Sequence, residues 1–170
     1  NLYVLLEISA LSSYALIALG RGRAYMATFN YLIMGTIGAC FYLLGVGYLL
    51  IKTGTLNMQD LSTILPSLHT SQAILVAFVF IIVGVLIKMA LFPLHGWLPN
   101  AYTYAPTATS CLVAPLMTKV SVYVMDRMMF SVFSAEYVFE VIKWQPIIMG
   151  LSVVSIVAGS FYALAQKDLK

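Results

Sequence analysis

Charged side chains are scarce in this sequence. Asp, Glu, Lys and Arg together make up 9% of its 170 residues, whereas about 25% is usual in a soluble domain. Hydrophobic residues make up 62%, and the mean hydropathy is +0.96. Such a chain cannot cover a water-facing surface with polar groups, so its composition excludes an ordinary soluble domain and predicts that a lipid bilayer surrounds it.

Features that mark several other classes of protein are also missing. The net charge of +3 is small and the basic residues are scattered, so nucleic acid is not expected as a partner. The two cysteines, Cys40 and Cys111, lie alone in separate apolar segments and are expected to be packing residues. Because no nucleotide-binding loop, metal-ligand cluster or nucleophile–base pair occurs, we expect no cofactor, no metal and no active site within this chain.

The two ends of the sequence lie against apolar segments. The sequence begins at Asn1 within an apolar run and has no basic region or small-residue cleavage site, so its first segment is not predicted to be a signal peptide. It ends at Lys170, directly after another apolar segment. We therefore expect the chain to be a fragment of a larger membrane protein.

Five apolar segments separated by polar turns are long enough to cross a bilayer. No β-type alternation occurs in the sequence, and backbone groups in lipid must find their partners within a helix or a closed barrel. We therefore predict an all-α, polytopic transmembrane helix bundle that forms part of a single transmembrane domain. The predicted spans cover about residues 2–20, 25–51, 72–96, 105–127 and 144–165, the third being broken or kinked near Pro93.

Small and apolar residues predict local packing around the second span. That span contains four glycines that favour close helix approach, namely Gly35, Gly38, Gly45 and Gly47. The polar connection after it has apolar residues at helical spacing, namely Leu61, Ile64 and Leu65. They predict a short amphipathic helix at the membrane interface, beginning near Asn57 or Met58. His69, in the same connection, is expected to face solvent.

Two lysines lie deep in predicted spans, where inserting a lysine costs roughly 2.5–3.5 kcal/mol. Lys88 lies roughly 24 Å from the start of its helix at Gln72, and Lys119 roughly 20 Å from Pro106. An intramembrane lysine is by default a hypothesis of function. For Lys88 the alternative is that its side chain extends past Leu91 to the interface. Lys119 is too far from either end to do so easily and is the stronger candidate.

Proline and hydroxyl residues accompany the two lysines. Pro93 and Pro115 are predicted helix breaks, because a proline leaves a preceding carbonyl without its usual hydrogen-bond donor. Thr118 and Ser121 give the helix of Lys119 a polar stripe that suits water, so they are candidate proton-relay residues.

The segment between the two helices is predicted to form a turn at the membrane surface. Trp97 suits an interfacial anchor there. His95 is a candidate for proton uptake or relay, because histidine changes charge near neutral pH. An equally open alternative is that His95 lies at the membrane interface without a role in proton transfer.

Glu7 is the only charged residue of the first span. One interpretation is an acid near a helix N-terminus, where the helix dipole stabilises it. The other is a buried acid that faces other helices and pairs with a lysine. A carboxylate beside a buried lysine stabilises the protonated amine, and moving it away favours the neutral form.

Basic residues beside the spans predict the orientation of the chain. One side of the membrane carries Arg21, Arg23, Lys167 and Lys170, and the other carries Lys52, Arg127 and Lys143. By four residues to three, the positive-inside rule predicts that the first group is cytoplasmic.

Two stretches of the sequence resemble a known family. KMALFPLHGWLPNAYTYAPTA, from Lys88 onward, and LMTKVSVY, at residues 116–123, are similar to the antiporter-like membrane subunits of respiratory complex I and of Mrp-type multisubunit cation/proton antiporters. The terminal ALAQKDLK is also similar to a turn of that family, and LLEISALSSYAL around Glu7 is a weaker match. The resemblance covers essentially the whole chain, and implies a fragment of about helices five to nine of fourteen, within one inverted repeat of a larger protein.

The resemblance also implies roles for individual residues. Lys88 would be the pump lysine of a broken helix, paired with Glu7. Lys119 would relay a proton toward the centre of the subunit, and His95 would belong to the region where protons are taken up. The chain would work together with other membrane subunits of a multisubunit complex.

Three functions follow as hypotheses. The first is proton translocation as part of a D-type subunit of an Mrp-type antiporter, which exchanges protons for Na⁺ or another cation; the Tyr-Thr-Tyr-Ala-Pro turn favours it. The second is the proton-pumping membrane subunit of NADH:quinone oxidoreductase or of a related membrane hydrogenase, which would make the chain part of a translocase. The third is a structural scaffold among membrane helices. We expect the bacterial inner membrane as the location.

Overall fold

A computed structural model describes residues 1–166, and every regular element within them is helical. These elements are α1 (Leu2–Ala18), α2 (Ala24–Thr53), α3 (Met58–Ile64), α4 (Gln72–Met89), α5 (Leu98–Tyr104), α6 (Thr107–Asp126) and α7 (Trp144–Ala165). Four helices are long and apolar enough to cross a membrane, namely α2, α4, α7 and the helix that begins with α6; α1 is a shorter apolar helix. The prediction of an all-α polytopic bundle is confirmed.

The helix that begins with α6 is longer than predicted. It continues from Asp126 into the wider, π-type turns of Arg127–Val132, and so extends past residue 127. Met128, Met129 and Val132 are buried in the core on this extension. Their packing explains why the helix continues beyond two charged residues at which hydropathy alone would end it.

The most extensive helix contact, between α2 and α4, is built on glycines. A Cβ on Gly84 of α4 would lie 2.5 Å from the carbonyl oxygen of Gly38 on α2, and one on Gly45 would lie 2.6 Å from the Ile81 side chain. The prediction that glycines of α2 allow close helix approach is confirmed at Gly38 and Gly45. Gly47 faces open space and has no such role.

The predicted short helix between α2 and α4 is present as α3. The side chain of Asn57 accepts a hydrogen bond from the Gln59 N–H at 3.1 Å and caps the helix. Leu61 and Leu65 are buried, and a 3₁₀ turn at Leu65–Leu68 follows. α3 packs against the π-type extension of α6, so its apolar face is covered by protein.

His69 does not simply face solvent, contrary to the prediction. It is half-buried, and its ring stacks on that of Tyr137 with 4.5 Å between the centroids. Tyr137 is 1% exposed, and its burial raises the pKa of its phenol. The aromatic contact, which the local sequence does not reveal, removes much of the imidazole from water.

α4 ends at Met89, seven residues before the predicted end at residue 96. Ala90 adopts a left-handed conformation, with φ 56° and ψ 40°. The N–H of Ala90 donates to the Ile87 carbonyl at 3.1 Å, and that of Leu91 donates to the Leu86 carbonyl at 3.2 Å. This is the Schellman pattern of hydrogen bonds that closes many helices, here with alanine where glycine is usual.

The chain then passes Pro93 and resumes as α5. A Cβ on Gly20, just after α1, would clash with the carbonyl oxygen of Tyr104, so α5 ends beside the end of α1. α4 and α5 therefore form two halves of one broken crossing, as predicted near Pro93. The predicted surface turn around His95 and Trp97 is wrong, because this segment lies between the two halves.

The predicted helix break at Pro115 is also wrong. α6 is continuous from Thr107 to Asp126, with Pro115 inside it. Hydroxyl side chains that follow the proline bond to the helix backbone: Thr118 donates to the Ala114 carbonyl at 3.4 Å and Ser121 to the Met117 carbonyl at 3.0 Å. One missing backbone donor does not end a helix whose neighbouring turns are packed and hydrogen-bonded.

Candidate functional site

Glu7 and Lys88 come from distant parts of the chain and form one ion pair. Lys88 Nζ donates to Glu7 Oε1 over 2.5 Å. The Lys88 side chain is 14% exposed and that of Glu7 25% exposed, so both charges are largely removed from solvent. Among residues 1–166 no second ion pair accompanies this one. Their functional role stays a prediction.

The pair forms where two helices bring an acid and an amine to the same depth. Glu7 precedes the end of α1 at Ala18 by eleven residues, which is roughly 17 Å of helix. Lys88 lies in the last turn of α4, where the free carbonyl ends of the helix favour a positive charge. The Lys88 ammonium is held by a carboxylate on α1, and this contact takes the place of the predicted alternative in which it extends past Leu91.

Trp97 fixes the end of α4 from the far side of the break. Its indole Nε1–H donates to the carbonyl of Ile87 at 3.1 Å, one residue before Lys88. The side chain is 3% exposed and stacks on Tyr31 of α2, with 4.2 Å between centroids and 4° between planes. Trp97 is therefore a buried structural contact rather than the predicted interfacial anchor.

A cavity of about 260 Å³ lies beside Lys88, between α1, α2, α4 and α6. Most of its wall is apolar, and the side chains with polar atoms in the wall are Lys88, Ser9, Tyr14, Tyr31, Trp97, Ser121 and Tyr123. The volume is large enough for several water molecules. This is the space into which a proton leaving Lys88 could pass.

The residues predicted on α6 point in different directions. Ser121 is buried and lines the cavity beside Lys88. Thr118 is half-buried, with its hydroxyl bonded to its own helix. Lys119 is exposed and does not line the cavity. The structure thus brings Glu7, Lys88 and Ser121 together and leaves Lys119 apart.

His95 lies in the break between α4 and α5, half-buried among aromatic rings. Its ring is 5.4 Å from the rings of Phe92 and of Tyr162 on α7, measured between centroids. Its Nδ1 is buried, and no hydrogen-bond partner for it is found in the part of the chain that the structure describes. The uptake role of His95 stays a prediction.

Reasoning from the sequence missed the aromatic residues that surround the pair. Trp97 stacks on Tyr31, and Tyr31 in turn meets Tyr14 of α1 edge-on, with 4.6 Å between centroids. The hydroxyl of Tyr14 lies against the backbone of Gly35. One signal was available: Tyr14 follows Glu7 by seven residues, a spacing that places both on one helix face.

The chemistry available at this site is acid–base chemistry. No group of three or more His, Cys, Asp or Glu side chains that could hold a metal occurs among residues 1–166. What the site holds is one carboxylate, one amine and a cavity beside them. Such a set can store a proton on the amine, and a change in its separation from the carboxylate can release it.

Comparison with known proteins gives consistent matches over the whole chain. The family described as "NADH:quinone oxidoreductase/Mrp antiporter, TM" matches residues 1–170. The N-type subunit of the NADH-quinone oxidoreductase of Desulforudis audaxviator is 50% identical over 173 residues, which cover 99% of this chain and 33% of that protein. The D-type subunit of the Na(+)/H(+) antiporter of Bacillus subtilis is 30% identical over 170 residues, which cover 99% and 34%.

A solved structure supports the same match in three dimensions. It is that of the membrane-bound sulfane sulfur reductase, an archaeal respiratory membrane complex, with a TM-score of 0.70 at 35% identity. The match covers 74% of this chain and 26% of that one. The chain spans about a third of the length of the curated relatives it matches.

Proposed function

We propose that this chain, which belongs to the NADH:quinone oxidoreductase/Mrp antiporter transmembrane family, is a proton-translocating segment of an antiporter-like membrane subunit. The observation that carries the proposal is the Glu7–Lys88 ion pair in the broken crossing. A buried pair of this kind is costly to desolvate and is weak evidence for a purely stabilising role. Ionisable groups inside membrane helices are by contrast typical of proton relays.

The pair is proposed to act by changing its separation. With Glu7 close, the ammonium form of Lys88 is stabilised by the carboxylate. When a neighbouring element moves Glu7 away, desolvation favours the neutral amine and a proton leaves into the adjacent cavity. Ser121, on the cavity wall, is proposed to bond the water that carries this proton toward α6.

Lys119, also on α6, is proposed to receive the proton next. Because it does not line the cavity, the transfer must pass around the helix through water and hydroxyl groups. Thr118, the neighbour of Lys119 in sequence, is proposed to take part in this transfer. His95 is proposed to supply the pair with protons from the aqueous side nearest the break.

The parent complex is proposed to be of the NADH:quinone oxidoreductase type. Sequence identity is 50% to an N-type subunit of that enzyme and 30% to a D-type antiporter subunit, over almost the same length. This difference outweighs the Tyr-Thr-Tyr-Ala-Pro turn, which favoured the Mrp-type host. Protons are then the transported ion, other membrane subunits are the partners, and redox chemistry elsewhere in the complex supplies the energy.

The location is proposed to be the bacterial inner membrane, with Arg21 and Arg23 on the cytoplasmic side. The basis is the excess of basic residues on that side of the bundle. Two residues of that group, Lys167 and Lys170, lie outside the described residues. The similarity to bacterial subunits supports the choice of membrane.

The test is a neutral substitution of the acid in the complete complex. Glu7→Gln keeps the size and polarity of the side chain but removes its charge, so proton translocation should fall by about 100-fold or more. The measurement is proton uptake by vesicles containing the purified complex. Assembly, followed by recovery of all subunits, should be unchanged.

Glu136→Gln is the matched control, because Glu136 is exposed and has no ion-pair partner among residues 1–166. It should translocate protons like the unmodified complex. If Glu7→Gln also pumps at the normal rate, the pair has no part in transport and a structural scaffold becomes the better description of this chain.

A further inference from the structure

The buried indole of Trp97 bonds to the turn that carries Lys88, and we propose that Trp97 is a positioning residue that holds Lys88 against Glu7. The inference rests on the proposed function of the pair. It adds a third residue, which touches neither charge and acts on both through the backbone of α4 and a row of aromatic rings.

The first link runs from Trp97 to the backbone beside Lys88. The Ile87 carbonyl accepts two hydrogen bonds, from the Trp97 indole at 3.1 Å and from the Ala90 N–H at 3.1 Å. Both donors lie beyond the last turn of α4, so they hold that turn from outside the helix. Because Ile87 and Lys88 share a peptide bond, movement of this carbonyl also moves the base of the Lys88 side chain.

The backbone at this point is held in a conformation that alanine rarely adopts. Ala90 has φ 56°, in the left-handed region that glycine fills without cost. Such a residue persists only when surrounding contacts determine its conformation. The bond from Trp97 to Ile87 is one of these contacts, and it closes the end of α4 from a residue ten positions away.

The second link runs from Trp97 to the helix that carries Glu7. Trp97 stacks on Tyr31 of α2, and Tyr31 packs edge-on against Tyr14 of α1. All three side chains are buried, at 3%, 4% and 7% exposure. Glu7 lies two turns before Tyr14 on the same helix. The row of rings therefore sets the distance between α1, which carries Glu7, and the end of α4, which carries Lys88.

The two links make the separation of the pair depend on one side chain. If the indole leaves the Ile87 carbonyl, the last turn of α4 loses an outside contact and Lys88 is free to move relative to Glu7. A movement transmitted to the break between α4 and α5 would thus change the charge state of Lys88. Trp97 is therefore placed to couple movement at the break to the charge state of Lys88.

The experiment removes the indole donor while keeping an aromatic ring. In the complete complex, Trp97→Phe should lower proton translocation about fivefold, the effect of one lost hydrogen bond. Trp144→Phe is the matched control: Trp144 Nε1 is buried without a hydrogen-bond partner in the described part of the chain, so its loss should leave the rate unchanged.

A spectroscopic measurement separates positioning from general destabilisation. The infrared band of the Glu7 carboxylate, assigned by its disappearance in Glu7→Gln, should shift in Trp97→Phe and stay in place in Trp144→Phe. An unshifted band together with a normal rate in Trp97→Phe would overturn the inference. If Trp97→Phe fails to assemble, benzothienylalanine at position 97 replaces the N–H by sulfur at constant shape, and the same two readouts apply.

These outcomes distinguish the inference from the proposed function. A normal pumping rate in Glu7→Gln refutes the proposed function itself. A strong loss in Glu7→Gln, with no change of rate or band in Trp97→Phe, leaves the proposed function standing and refutes only the positioning role of Trp97.

Discussion

Lys88 and Lys119 have the same side chain in very different surroundings. Lys88 is paired with an acid and lies beside a cavity. Lys119 is exposed on α6, in a face whose other large side chains, Leu112, Leu116 and Tyr123, are also more than half exposed. A lysine facing hydrocarbon costs roughly 2.5–3.5 kcal/mol. Protein or water should therefore cover this face in the complete subunit.

We expect Lys119→Ala to abolish proton translocation without disturbing the Glu7–Lys88 pair. The reason is that the amine is needed to accept the proton, whereas its side chain makes no ion pair within residues 1–166 that folding would lose. The measurement is proton uptake by vesicles, together with the infrared band of the Glu7 carboxylate, which should be unchanged.

Lys52→Ala supplies the comparison for Lys119→Ala. Lys52 is also exposed but lies in the last turn of α2, near a membrane surface. Pumping at the normal rate is expected there, because no proton step is assigned to Lys52. Equal losses in both variants would point to net charge or assembly rather than to a specific role of Lys119.

Single residues were predictable where their chemistry was conspicuous. A charged residue within an apolar segment is easily recognised, so Glu7, Lys88 and Lys119 stand out in the sequence. The partner of each was not readable from spacing, and the Glu7–Lys88 pairing depended on the resemblance to a family. The sequence predicts Trp97 at the interface because tryptophan is typical of that region, whereas its contacts in the structure come from residues remote in sequence.

At the scale of elements, α2 and α4 meet through glycine on both sides. Gly84 lies against the Gly38 carbonyl, and a Cβ on it would also lie 2.8 Å from the backbone nitrogen of Tyr42. These atoms belong to a helix backbone and cannot rotate away as a flexible side chain can. The two helices therefore depend on the absence of a side chain at this crossing.

Gly84→Ala should lower the stability of the subunit by about 1–3 kcal/mol, the usual cost of overpacking. The measurement is the midpoint of thermal unfolding of the purified complex, which should fall. Gly47→Ala, on α2 but facing open space, is the control and should leave the midpoint unchanged or slightly raised, since alanine favours helix by about 1 kcal/mol. Equal midpoints for the two variants would contradict the packing role of Gly84.

The helices themselves and a break near Pro93 in the third crossing were largely predictable, whereas the residue at which α4 ends was not. Long apolar segments fix where helices lie, and α7 reproduces the predicted residues 144–165. The end of α4 depends on Ala90 in a left-handed conformation, which sequence rules assign to glycine. Proline proved a poor guide to its position: Pro93 lies after the helix has ended, and Pro115 is accommodated within α6.

At the scale of the whole molecule, much of the apolar surface remains uncovered. No residue of α7 is buried, and large side chains such as Ile156, Phe161 and Leu164 are at least 69% exposed. α1 likewise exposes Leu5 and Leu11 by 60% or more. Exposed apolar area of this size requires lipid or other helices as its cover.

The identity of these covering helices is the last prediction. Because the chain is 50% identical to an N-type subunit of NADH-quinone oxidoreductase, purification of the full-length protein from its native membrane should recover NADH-oxidising and quinone-binding subunits. Those subunits would supply the redox energy that moves Glu7 relative to Lys88. The measurement is mass spectrometry of the complex eluted with a tagged subunit, set against an eluate from untagged cells. Recovery of small cation-antiporter subunits in their place would assign the chain to an Mrp-type complex, in which a cation gradient rather than quinone reduction must change the separation of the same ion pair.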